Sequence, residues 1–192
     1  MSNIIRVVGL DPSFRNFGMV SGLLNLDTLN FTPDRVSLVS TTVDKSAKKS
    51  VRKNSQDLLR ATQLFLRLHD FIKDARLIFV EIPVGSQSAR AMTSYGVCIG
   101  LLSSIRAIPL LQVTPNEVKK IACNKITATK TEMIQWARSI YPQFDWFTHK
   151  SNGQVHYTES KNEHIVDAIA AIHAGISTDQ FKQLQSVITG IF

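Results

Sequence analysis

Five side chains, drawn from three separated stretches, have the types and spacing for chemistry: Asp11, Glu81 and the trio Glu163, His164 and Asp167. Asp11 closes the apolar run Ile4-Ile5-Arg6-Val7-Val8-Gly9-Leu10, which predicts a buried central strand. Pro12 follows it and has no N–H to continue a ladder. Glu81 closes a second run, Leu77-Ile78-Phe79-Val80, and again a proline, Pro83, stands just beyond. A buried carboxylate is costly unless a cation, backbone N–H groups or a metal ion meets it. Asp11 alone could be a plain Asp-Pro turn starter. The repeat of the design at Glu81 favours a shared site, since a doubly wound sheet gathers such strand ends at its active edge. The trio falls at i, i+1 and i+4 of a predicted helix, so it projects to neighbouring faces of one turn.

These groups supply hard oxygen ligands and one imidazole, which suits magnesium, with manganese as substitute, and leaves waters in place for substrate phosphates. Two ions about 4 Å apart can activate a water and stabilise the leaving 3′ oxygen of a phosphodiester. The rest of the chain is basic: 22 Lys and Arg against 15 Asp and Glu, a net charge of +7. That predicts a polyanionic partner, nucleic acid ahead of a membrane surface, because no basic amphipathic anchor stands out. Acids at one point on a basic chain are the electrostatics a nuclease needs, with rim lysines holding backbone phosphates.

The elements that must position these groups follow from periodicity. Gly18 to Leu24 pairs with the first strand as a hairpin, and Arg35 to Val43 alternates as a half-buried third strand. Lys45, Lys48, Lys49, Arg52 and Lys53 then form the most basic segment, either a solvated loop or a phosphate-contacting arm. Ser55 to Lys73 has the apolar spacing of an amphipathic helix. A helix opening at Ser86-Gln87-Ser88-Ala89-Arg90-Ala91 and running to Ile105 carries Gly96-x-x-x-Gly100, a pattern for close packing against the sheet or across a dimer. Pro109 to Val113 is the fifth strand. Thr114 with Glu117 and Thr129 with Glu132 read as capping boxes. The first of these helices carries Lys119 and Lys120; Lys130 opposes the dipole of the second, so a phosphate contact is its expected role. Tyr141 to Ser160 reads as irregular, its aromatics Phe144, Trp146, Phe147 and Tyr157 either capping a core edge or stacking on bases. Lys161 to Gly175 is the last helix read, closed by Gly175 as a C′ residue.

At 192 residues and 44% hydrophobic, the chain fits one α/β domain spanning 1–192. No apolar run reaches a membrane span and no signal peptide precedes the first strand, which predicts a cytoplasmic protein of a bacterial cell or a virus-infected host. Cys98 and Cys123 lack metal-ligand spacing, so reduced thiols are expected.

Hairpin, third strand, helix, strand, helix, strand, helices is an order that resembles the RNase H-like fold: a five-stranded mixed sheet, antiparallel over strands 1–3 and parallel over strands 4–5, flanked by helices. Within it the chain resembles RuvC-type Holliday junction resolvases, including viral members. The residues that carry the resemblance are Gly9-Leu10-Asp11-Pro12-Ser13-x-x-x-x-Gly18, Phe79-Val80-Glu81, Glu117-Val118-Lys119 with Lys130 eleven residues later, and His164-x-x-Asp167-Ala168. It runs over residues 4–176 and omits the basic loop and Tyr141–Ser160. The resemblance implies a homodimeric, Mg²⁺-dependent endonuclease making paired nicks in four-way junctions. Asp11, Glu81 and Asp167 would be metal ligands, and His164 a ligand or water-positioning group. Lys119 and Lys130 would contact DNA near the scissile phosphate. Glu163 is open between a second metal and a salt bridge to Lys161. Two departures stand out: Ser13 replaces the family glycine, and Ile82-Pro83-Val84-Gly85-Ser86 lacks the aromatic that stacks in the junction centre. Relaxed cutting of flaps and forks, an RNA–DNA hybrid nuclease and a non-catalytic branched-DNA binder are the alternatives. A sugar-kinase or actin-like ATPase would need a second glycine-rich phosphate loop, which the sequence lacks.

Overall fold

The computed structural model describes residues 3–42, 53–82, 85 and 87–190. Five strands form one sheet in the order β3-β2-β1-β4-β5. β1 (Ile4–Asp11), β2 (Asn16–Asn25) and β3 (Phe31–Ser40) run antiparallel, while β4 (Leu77–Glu81) pairs parallel with β1, and β5 (Leu110–Val113) parallel with β4. This is the mixed sheet the sequence predicts. β3 starts earlier and ends sooner than the alternating stretch suggests, because it pairs with β2 from Phe31, opposite Leu24, to Ser40, opposite Asn16, with one register shift between Ser21 and Gly22.

Strand alternation sends side chains into two cores. Val7, Val20, Leu24, Leu77 and Phe79 face one layer of helices; Val8, Leu10, Met19, Ile78 and Val80 face the other. The second layer holds α1 (Lys53–Ile72), through Leu64, Leu68 and Ile72, and α2 (Ala89–Ser103), through Cys98, Leu101 and Leu102. The first holds α3 (Pro115–Cys123), α4 (Lys130–Ile140), α5 (Glu159–Ile176) and α6 (Asp179–Thr189), the last a helix absent from the sequence reading. Both predicted capping boxes form, Thr114 with Glu117 and Thr129 with Glu132.

Three expectations are corrected. Gly175 lies inside α5 and does not end it: the Phe79 ring fills the space where its Cβ would be, and Ser177 is the C-cap. Gly96 and Gly100 do not pack α2 against the sheet, since nothing described lies within 4 Å of where their Cβ atoms would be. Tyr141–Ser160 is not irregular throughout but contains a hairpin, β6 (Thr148–Ser151) and β7 (Gln154–Tyr157). Its turn places Asn152 and Gly153 at φ 51° and 75°, the doubly positive pair a type I′ turn needs. Trp146 is buried and Phe144 and Phe147 pack beside it, the core-edge role. No described helix is long and apolar enough to cross a membrane.

Candidate functional site: carboxylates at two strand ends under one helix

Parallel pairing sets Leu10 beside Val80, so the next residues, Asp11 and Glu81, leave adjacent strands at the same edge. Helix α5 lies directly across this edge. Gly9 and Gly18 permit it: a Cβ on Gly9 would overlap the carbonyl oxygen of Ala168, and one on Gly18 the carbonyl oxygen of His164. That close approach brings the second turn of α5 onto Asp11. His164 Nδ1 and Asp11 Oδ2 stand 2.7 Å apart, although 153 residues separate them in the chain. His164 Nε2 lies 3.6 Å from Glu163 Oε1, and Lys130 Nζ forms an ion pair with Glu163 Oε2.

The electrostatics report how tightly the acids are gathered. Burial, then the charges of Asp167 and Asp11, push the Glu81 carboxyl up to about 8, with Lys119 pulling the other way. Burial and Asp11 push Asp167 up to about 7, against His164 and Lys130. Burial raises Asp11 more than the His164 bond lowers it. In His164 burial opposes the imidazolium, but the bond to Asp11 and the charges of Asp11, Glu163 and Asp167 outweigh it and raise its pKa. Cys98, beneath the site, is held as a thiol, pushed up to about 12 by burial and by Asp11.

As a donor set these residues fit a hard divalent cation: three carboxylates whose mutual repulsion a cation would relieve, with one imidazole. No three described His, Cys, Asp or Glu side chains are arranged to hold a metal ion as they stand. Asp11 is instead paired with His164, and Glu163 with Lys130.

Of the basic residues singled out in the sequence, Lys119 acts on Glu81 and Lys130 on Glu163, Asp167 and Asp11. Lys120 instead lines a cavity with Ala174, Ser177 and Thr178, at the opposite end of α5 from Glu163. Lys45, Lys48, Lys49 and Arg52 lie outside the described residues, and Lys53 is described only as the first residue of α1. Sequence reasoning paired Glu163 with Lys161 or a metal; Lys130 is its partner here, because the N-terminus of α4 faces α5. It also passed over a cluster of guanidinium groups at the turn that follows Asp11. Arg15, Arg60 and Arg90 line a cavity of about 240 Å³ with Pro12 and Ser13. Asp57 fixes two of them, at 2.7 and 3.0 Å from Arg90 and 3.1 Å from Arg60. Only Arg15, four residues after Asp11, left a local signal.

No family model matches the chain, and no curated protein matches it by sequence. Solved structures do. RuvC of Thermus thermophilus in complex with Holliday junction substrate is 17% identical with a TM-score of 0.61, over 89% of this chain and 92% of that one. A second T. thermophilus RuvC structure is 17% identical with a TM-score of 0.59, over 97% of both chains. This chain has the RuvC fold. It is the RNase H-like architecture that the order of elements predicts, and in this RuvC-like fold Asp11, Glu81 and the acids of α5 meet at one edge of the sheet. A fowlpox virus resolvase, solved with Holliday junction DNA, is 13% identical with a TM-score of 0.47 over 94% of this chain.

Proposed function

We propose that the chain is a divalent-metal-dependent endodeoxyribonuclease that cuts four-way junctions by paired nicks. The observation that carries the reading is the convergence of Asp11, Glu81 and Asp167, from the ends of β1 and β4 and from α5, in a chain of net charge +7. The RuvC fold supports it, as does the neighbour RuvC having been solved on a Holliday junction substrate. In this reading Asp11, Glu81 and Asp167 hold two magnesium ions, with His164 and Glu163 at their margin. Bound there, the metal would supply Lewis acidity toward the attacking water and the departing 3′ oxygen. His164, held on Asp11, orients that carboxylate. Lys119 and Lys130 take backbone phosphates at the rim, Lys130 by exchanging Glu163 for the substrate.

Paired nicks require two sites, so the active species is a homodimer. The outer faces of α1 and α2 offer apolar surface for it, with Leu58, Leu59, Leu66 and Ile99 all more than half or about half exposed. One departure favours a second reading. Residues 82–86 present no aromatic to stack at a junction centre, which fits a nuclease of relaxed branch preference that also takes flaps and forks.

The test is incubation of wild type and Asp11→Asn with labelled four-way junction, flap and linear duplex, with and without Mg²⁺. Symmetric metal-dependent nicks in the junction alone, lost in the variant, are the expected result. Equal cutting of flap and junction establishes the relaxed nuclease. Binding without metal-dependent cleavage overturns catalysis and leaves a branched-DNA-binding protein.

A further inference from the structure

Every residue of β6 and β7 is exposed. A four-residue, two-stranded ribbon has little stability of its own and leaves open edges. The fold nonetheless commits buried groups to hold its base. Asn162, 1% exposed, accepts from Phe147 N–H at 3.0 Å and donates to Phe147 O at 2.9 Å, and Thr158 N–H donates to Phe147 O. Arg138 covers the Tyr157 ring at 3.6 Å. Asn162 immediately precedes Glu163 and His164, so the anchor of the ribbon and the acids share the first turns of α5. The family resemblance omits this stretch and does not account for it.

We propose that the β6–β7 ribbon is a second DNA-contacting element, laid into a groove of the duplex arm beside the scissile phosphate. The inference rests on the nuclease reading above. A two-stranded ribbon is one of the shapes a major groove admits. Residues 146–158 contain no Asp or Glu, and the exposed positions carry Lys150, His149, Asn152, Gln154 and His156. Those side chains suit phosphate oxygens and base edges, and an anionic duplex complements them. Four residues at about 3.4 Å each reach roughly 14 Å, close to four base pairs.

The test uses the full chain carrying Asp11→Asn, so that DNA is bound without cutting. Junction affinity is measured across a salt series, alone and with Lys150→Ala, or with His149→Ala, Gln154→Ala and His156→Ala together. These side chains stand outside both cores, so unchanged thermal unfolding confirms that the variants fold. The expected result is binding weaker by about 5- to 10-fold, with the Lys150→Ala salt slope smaller by about one. A photocrosslinker on Gln154→Cys, in a Cys123→Ser background, is expected to mark one duplex arm. Affinities within twofold of the parent and no crosslink to an arm overturn the ribbon inference alone. Failure of the parent chain itself to bind branched DNA overturns both readings.

Discussion

Helices α5 and α2 flank the same sheet and differ in almost everything else. α5 buries eleven of its 18 residues and packs on β1, β2, β4, α3 and α4. α2 buries three of its 15 and packs mainly on α1. The glycines show the contrast at atomic scale. At Gly175, and at Gly9 beneath α5, a methyl group has nowhere to go, whereas Gly96 and Gly100 face open space. The carboxylates can be held against their own repulsion because α5 is fixed between the sheet and helices α3 and α4. α2 is fixed on one side and leaves a surface for something else.

The sharpest way to break this contrast is Gly9→Ala. Its methyl would meet the backbone of Ala168, which cannot rotate away, so a loss of at least about 3 kcal/mol is expected in denaturant unfolding. A loss under about 1 kcal/mol would mean that α5 is free to shift. Next in size is a pH effect from the same helix. Burial pushes His173 down to about 4, with Tyr141 Oη 2.6 Å from its Nε2. The folded state therefore binds fewer protons than the unfolded chain between the ordinary value of about 6.5 and 4. Stability is full above that window and falls by about 3 kcal/mol as pH drops through it; His173→Gln should flatten this part of the curve. Asn162→Ala leaves the half-buried Phe147 amide and carbonyl with fewer partners and should cost about 1–3 kcal/mol. Smallest, and opposite in sign, is Gly96→Ala. In an exposed helix it should raise stability by about 0.5–1 kcal/mol. Destabilisation there, lost on dilution, would show that a second copy covers α2.

What could be read from sequence was whatever burial had written into a pattern. Strands with one or two buried faces, the capping boxes, and acids at the ends of apolar runs all leave periodic or positional marks. The ribbon leaves no periodicity, because both of its faces meet solvent and no alternation is selected; Asn152-Gly153 at its turn was its one positional mark. Gly175 was misread for a related reason. A helix-ending glycine and one making room for Phe79 look alike until the strand beneath is placed. The partner of Glu163 was out of reach in the same way, since it depends on how α4 lies against α5. For the acid cluster the sequence named the residues, but not that Asp11 rests on His164.

The 153-residue separation of Asp11 and His164 also sets an order in time. During synthesis the hairpin, β4 and the basic helices α3 and α4 leave the ribosome before α5 does. A growing chain carries much of its positive surface while Asp11 and Glu81 still lack the helix that completes their cluster. Such a chain lacks His164 and Asp167 at its strand ends, so the cluster is completed in one late step, when α5 closes over the sheet.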